Sequence, residues 1–167
     1  MNRFRYAVVT LWAFAIAQGC HAQDSDHPWA QMLQIIGYSA TAKASFANGC
    51  LRDNPLSQTQ AYLILCPKLG KIPASVIESA ALPFVRKYVT ADQTREAIAY
   101  YISPVGSNLQ GKMLREIESG KYDQLSAVDL QQMDVTNKSA FGRALKNFSM
   151  DKEGSSAVAR AMLRYEP

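Results

Sequence analysis

Apolar residues recur at spacings of three and four along most of the chain, which is the period of one face of an α-helix. The first such pattern begins at Trp29 and ends at Asn48-Gly49, two residues that tolerate a left-handed backbone. No useful length of the chain alternates apolar and polar residues as a half-buried β-strand does. The pattern therefore predicts an all-α fold, with six or seven short helices in a compact bundle.

Polar residues and prolines divide the helices that follow. Ser57 and Gln60 have the spacing of a capping box, in which both side chains bond to free backbone N–H groups at a helix start. Pro73 is expected to begin the next helix, and Pro83 to kink or restart it because its ring clashes with the preceding turn. A last helix is predicted to follow Gly154.

Residues 126–148 look like a degenerate copy of residues 90–112, at a constant offset. Each copy begins with a hydroxyl residue that can cap a helix. A serine then interrupts the helical pattern, and a glycine lies three residues after that serine. The capping residues are Thr90 and Ser126, and the interruptions are Ser103-Pro104-Val105-Gly106 and Ser139-Ala140-Phe141-Gly142. We expect each glycine to let another backbone come close. The pattern predicts two similar helical hairpins packed together.

The first 22 residues have the pattern of a secretory signal peptide. Arg3 and Arg5 precede an uncharged apolar run, 6–17, which is shorter than the roughly 20 residues that a membrane-spanning helix needs. Small residues before the cut predict cleavage between Ala22 and Gln23. We expect the mature protein in the bacterial periplasm.

A second processing route stays open. Ala17-Gln18-Gly19-Cys20 resembles a bacterial lipobox, in which the cysteine is lipidated and becomes the new N-terminus. Gln18 fits that pattern poorly, and Ala17 stands where leucine is usual. By this route Cys20 would anchor the protein to an envelope membrane.

Signal removal would leave a polar, flexible segment, 23–28, and a single helical domain, 29–167. The formal net charge of the full chain is +4, and it becomes nearly balanced once Arg3 and Arg5 are removed. Nucleic-acid-binding proteins usually carry a clustered basic face, whereas the cations here are scattered. We therefore expect no nucleic-acid partner. No second long apolar run follows the signal, so the mature chain should lack a transmembrane segment.

Either processing route leaves Cys50 and Cys66 as a pair. An even pair in an oxidising compartment favours a disulfide, which would join two neighbouring helices into a stapled N-terminal hairpin. Closing such a loop should stabilise the fold by roughly 3 kcal/mol. Two buried free thiols or a redox pair are the alternatives, although a redox pair is more often spaced C-x-x-C.

The mature chain offers little catalytic chemistry. Its single histidine, His27, lies in the segment expected to be flexible, whereas a catalytic triad needs an imidazole held beside its nucleophile. Asp24 and Asp26 could touch a metal ion beside His27, but a flexible segment offers no residues to orient the ligands. Glu116 and Glu118, two apart on a helix, point to different sides. We therefore predict no catalytic, metal-binding or cofactor-binding residues and no cofactor.

Four aromatic residues form a candidate recognition surface: Tyr88, Tyr100, Tyr101 and Phe141. Tyrosine presents an apolar ring and a polar tip, a combination favoured at interfaces. The alternative is core packing with the hydroxyl groups reaching the surface.

Several short motifs lie between residues 84 and 114. They are FVRKYVT at 84–90, IAYY at 98–101, SPVG at 103–106 and then Leu109. Together they resemble the bacterial domain of unknown function 2059 family, best over about 84–114 and more weakly to 145. The aromatic pair is Tyr100-Tyr101 here, where Phe-Tyr is more usual in that family. The resemblance implies a small, helical, exported protein, and it brings no established catalytic residues.

Three functional hypotheses follow. The first is a non-enzymatic binding module of the periplasm that recognises another protein of the cell envelope, as an inhibitor or immunity-type partner does. The second is a structural or envelope-maintenance protein, lipid-tethered through Cys20. The third and least favoured is a hydrolase whose carboxylates are brought together only by the fold.

Overall fold

The computed structural model describes residues 27–51, 53–120 and 125–167. Within these ranges the regular structure is entirely helical, which confirms the all-α prediction. The predicted signal peptide with its Ala22/Gln23 cleavage site, and the residues Cys20, Asp24 and Asp26, lie outside the described ranges.

The described ranges contain nine α-helices, more than the six or seven expected, in part because the first predicted helix is divided into two. They are α1 (His27–Ile35), α2 (Tyr38–Gly49), α3 (Gln60–Leu65), α4 (Ala74–Tyr88), α5 (Ala91–Ile102), α6 (Pro104–Ser119), α7 (Ala127–Lys138), α8 (Ala140–Ser149) and α9 (Lys152–Arg164). Two 3-10 helices, Pro55–Gln58 and Cys66–Lys71, flank α3.

The first predicted helix is two helices, α1 and α2, that meet at Gly37. Gly37 has a left-handed backbone (φ 60°), and the Gln110 side-chain amide donates to the Ile35 carbonyl beside it at 2.8 Å. A left-handed residue cannot continue an α-helix, so the chain changes direction there. The helix also starts earlier than expected, because His27 and Pro28 form its first turn instead of belonging to the flexible segment.

Helix α2 ends at Gly49 as the sequence predicts, although for a different reason, whereas the predicted Ser57 cap of α3 is wrong. Gly49 closes α2 without a left-handed backbone, and it is a glycine because a Cβ atom there would overlap the Tyr62 ring. Ser57 does not cap α3; it lies buried in the 3-10 helix Pro55–Gln58. Thr59 precedes α3 without a side-chain capping bond.

The disulfide between Cys50 and Cys66 is formed, with the two Cα atoms 5.7 Å apart. It joins the end of α2 to the end of α3, which confirms the predicted staple. Beyond the staple, the Lys68 ammonium donates to the Leu163 and Tyr165 carbonyls at 2.6 and 2.7 Å. The stapled hairpin is therefore held against the C-terminal end of α9.

The long helix α4 is the centre of the core, since it packs against α1, α2, α8 and α9. It continues through Pro83 as one helix, so the proline does not restart it. Asp151 caps α9, so Gly154 lies inside that helix and not before it, with the Phe84 ring against its Cα. The fully buried core residues are Met32, Leu33, Ile77, Ala81, Val85, Ala97 and Met162.

The two predicted hairpins are present as α5–α6 and α7–α8. Thr90 and Ser126 cap their helices as expected, and each forms a capping box, with Gln93 and Asp129 as the reciprocal partners. Ser103 and Ser139 then cap the second helix of each pair. The same local chemistry therefore turns the chain in the same way twice.

Candidate binding groove

Aromatic side chains join the two hairpins. The ring centroid of Tyr100 lies 5.1 Å from the ring centroid of Tyr101 and 5.5 Å from that of Phe141. The Thr136 hydroxyl lies 2.8 Å from the Tyr100 hydroxyl, so a hydrogen bond links α5 to α7. Burial raises the pKa of Tyr101, and the neighbouring Tyr100 adds to the shift. The Tyr101 phenol is therefore neutral at physiological pH, which suits a site that binds apolar groups.

An open groove begins beside this aromatic cluster and runs between α2 and α8. Its first compartment has a volume of about 460 Å³, and Tyr101 forms part of its wall. Apolar side chains from several helices complete most of that wall: Ile36, Tyr38, Met113, Leu145 and Phe148. We call this feature, with the compartment described next, the α2–α8 groove.

The second compartment of the α2–α8 groove has a volume of about 290 Å³ and is walled partly by Phe46 and Val158. Tyr38 and Phe148 line both compartments, and their ring centroids are 5.3 Å apart. The two compartments therefore meet at this ring pair. Burial raises the pKa of Tyr38, so its hydroxyl also stays protonated.

Polar side chains also border the groove, among them Thr136 and Asn137 in the first compartment. Thr41 and Ser149 border both compartments, and Ser45 and Ser155 border the second. Among the described residues that line the groove, Lys146 alone is charged. Binding sites of this kind combine a mostly apolar surface with a few polar groups that fix orientation.

A larger cavity of about 570 Å³ lies on the other side of α2, beside the disulfide. Its walls are mainly small side chains, including Ala40, Ala44 and Ala47, with Lys43 and Glu118 at its edge. Large aromatic side chains carry most of the binding energy at recognition sites, and this cavity has none among its described lining. The α2–α8 groove is therefore the better candidate.

The four aromatic residues of the candidate surface have three different placements. Tyr101 lines the groove, while Tyr100 and Phe141 pack behind it. Tyr88 lines neither compartment, and its hydroxyl donates to the Asp151 carboxylate at 2.6 Å. Sequence reasoning missed Tyr38, Leu145 and Phe148, although the spacing of Phe141, Leu145 and Phe148 on one helix face was the available signal.

Several acids serve as structural hydrogen-bond acceptors. The Tyr88 hydroxyl and the backbone N–H of Gly154 are the leading causes that lower the pKa of Asp151 to about 2. Hydrogen bonds from Lys112 and Ser126 lower the pKa of Asp129 to about 2. The Glu116 carboxylate accepts the backbone N–H of Leu125 at 3.1 Å. These three carboxylates are therefore committed to holding local structure.

Glu116 is buried and Glu118 is exposed, so they face different sides of α6, as their spacing predicts. Among the described residues, no three of histidine, cysteine, aspartate and glutamate lie close enough to hold a metal ion. No helix in the described ranges is long and apolar enough to cross a membrane.

Comparison with protein-family models, with curated proteins and with solved structures gave no match. The resemblance to the domain of unknown function 2059 family therefore stays a prediction. The proposal of a function therefore depends on the geometry of the α2–α8 groove.

Proposed function

We propose that this protein is an exported, non-enzymatic binding module that recognises another protein of the cell envelope through the α2–α8 groove. The observation that carries the proposal is the groove itself, an open, mostly apolar surface with Tyr38, Tyr101 and Phe148 in its walls. Apolar grooves between helices are a recurrent way of accepting a segment of another protein. Aromatic side chains in such grooves supply much of the binding energy.

The supports of the groove favour recognition without a large ordering cost. The α5–α6 and α7–α8 turns are fixed by serine caps, and Tyr100 is tied to Thr136 across the two hairpins. On the opposite wall, the end of α2 is held by the Cys50–Cys66 disulfide. A wall that is already ordered loses less conformational entropy when a partner binds.

The roles of the acids favour binding over hydrolysis. A carboxylate that gives up a proton to a substrate at neutral pH needs a raised pKa, as general acids in glycosidases have. Asp129 and Asp151 have lowered pKa values because they accept hydrogen bonds at helix starts. Neither lines the α2–α8 groove.

Export is supported by the signal-like N-terminus and by the disulfide. Disulfides persist in oxidising compartments such as the bacterial periplasm and are rare in the cytosol. Cys50 and Cys66 are bonded to each other in the folded chain. The partner is therefore sought among proteins of the envelope.

A site-specific crosslink tests the proposal. A photo-crosslinking residue replaces Ser149, which borders both compartments. The full-length variant is produced in a bacterium that has a periplasm. The matched control places the same residue at Ser79, an exposed serine of α4 that does not border the groove. We expect a discrete protein adduct from position 149 and not from position 79.

Filling the groove provides the second arm of the test. Thr41→Trp puts a large ring at the border of both compartments without removing a core side chain. The adduct at position 149 should then disappear while circular dichroism and the unfolding midpoint stay close to wild type. Equal adducts from both positions, or an adduct that survives the filled groove, would contradict a role for this surface.

A further inference from the structure

The described residues that line the α2–α8 groove include one cation and no acid. The cation is Lys146 of α8, and neither α2 nor α8 contains an acidic residue. The groove therefore carries positive charge at Lys146, with no acid among its described lining.

The charge of Lys146 is not neutralised by a nearby acid. Lys138 is paired with Asp134 at 2.6 Å, but Lys146 contacts no carboxylate in the described part of the chain. The nearest acid in sequence, Asp151, is buried and bonded to Lys87, Tyr88 and the start of α9. Lys146 is exposed, so its positive charge faces solvent at the groove without a paired acid among the described residues.

Lys146 links this charge to the apolar surface. It lines the first compartment together with Leu145 and Phe148 of the same helix. A partner group that enters there is in contact with apolar side chains and with an ammonium group at once. A basic group on the partner would be repelled by the Lys146 ammonium. A neutral group would remove water from that ammonium without supplying a negative charge to replace it.

We infer that the groove takes an acidic amphipathic segment of another protein, with apolar side chains in the two compartments and a carboxylate beside Lys146. This inference rests on the proposed function and adds the chemistry of the partner. The Tyr38–Phe148 pair divides the groove, so the segment presents at least two apolar side chains, one on each side of it.

The experiment selects ligands for the groove from a random peptide library. A library of displayed peptides about 15 residues long is panned against the oxidised wild-type protein, and the enriched peptides are sequenced and measured by fluorescence anisotropy. Ser149→Trp, which obstructs both compartments, identifies the peptides that depend on the groove. Lys146→Glu tests the charge, and Lys71→Glu makes the same charge change at an exposed position that does not border the groove.

The inference expects groove-dependent peptides that combine aromatic or aliphatic residues with aspartate or glutamate. Their affinity should fall roughly tenfold in Lys146→Glu, stay within about twofold in Lys71→Glu, and decrease with added salt. Groove-dependent peptides without an acidic bias, or with no response to Lys146→Glu, would overturn the inference and leave the proposed function standing. If Ser149→Trp blocks none of the enriched peptides, both are overturned.

Discussion

At the scale of single residues, two glycines let the repeated hairpins close. A Cβ atom at Gly106 would overlap the carbonyl oxygen of Tyr100, and one at Gly142 would overlap that of Thr136. In both cases the obstacle is backbone at the end of the preceding helix, which cannot rotate away as a side chain can. The glycine that the repeat pattern predicts is therefore required by steric contact and not by an unusual backbone angle.

Gly106→Ala should lower the free energy of unfolding by about 1–3 kcal/mol, because the added methyl group forces the α5–α6 turn apart. Urea unfolding followed by circular dichroism measures the change. Gly111→Ala, in the same helix, is the matched control, since its Cβ would meet only the far end of the Arg115 side chain at 3.5 Å. That control should gain up to about 1 kcal/mol from improved helix propensity. Equal effects at both positions would contradict the steric explanation.

Asp151 should make the stability depend on pH in the acidic range. Its pKa is lowered from 3.8 to about 2 in the folded protein, so its contribution is complete above pH 4 and is lost as the pH falls toward 2. Asp151→Asn keeps a good capping residue but does not titrate. We expect the urea midpoint of this variant to fall less than that of the wild type between about pH 5 and about pH 2.5.

Asp129 titrates over the same acidic range, because its pKa is also lowered to about 2. The double variant Asp129→Asn/Asp151→Asn should therefore show the flattest profile. Asp53→Asn makes the same change at an exposed position and serves as the control. A wild-type profile that does not change between the two pH values would contradict the structural role of both carboxylates.

At the scale of elements, short-range signals predicted the helix starts and longer-range contacts decided the rest. Thr90 and Ser126 cap their helices as expected because all the partners lie within four residues. The Ser57 prediction failed because Ser57 lies inside the 3-10 helix Pro55–Gln58, which precedes α3, and not at the start of α3. The Gly37 break was missed because a single glycine inside an apolar helical pattern does not by itself end a helix; the Gln110 side chain of α6 contacts the chain at this break.

Pro83 shows how packing can override a local breaker. Helix α4 stays continuous because Ile77, Ala81 and Val85 are fully buried on its inner face, while Pro83 is exposed on the outer one. Pro83→Ala restores a backbone donor and should raise the free energy of unfolding by about 1–3 kcal/mol. Pro73→Ala, just before α4, has no helical bond to restore and should give no such gain. Chemical denaturation of both variants decides between them.

The stapled hairpin depends on its disulfide more than on packing. Helix α3 packs mainly against its two flanking 3-10 helices and makes smaller contact with α9. Cys50→Ser/Cys66→Ser should therefore cost about 3 kcal/mol and loosen this region most. Hydrogen exchange should quicken more at the amides of α3 than at those of α4. An equal increase in both helices would contradict a local role for the staple.

At the scale of the whole molecule, the groove could not be derived from sequence. Its walls are α2 and α8, which are separated along the chain by five other α-helices, and only the complete fold sets them side by side. The aromatic cluster was partly predictable, because Tyr100 and Phe141 belong to related repeats. Tyr88 was grouped with them by residue type alone, while its actual partner is Asp151 on a distant helix start.

The mass of the mature protein tests the premise on which the partner's location depends. If the chain is exported and cleaved between Ala22 and Gln23, material from the periplasm should have the mass of residues 23–167 less two hydrogen atoms. That deficit corresponds to the Cys50–Cys66 bond and should vanish after reduction. A mass that begins at an acylated Cys20 would instead place the same groove on a membrane-tethered protein. A full-length, fully reduced chain would contradict the proposed location in the cell envelope. The disulfide that holds one end of α2 would then not form in the compartment where the protein is found.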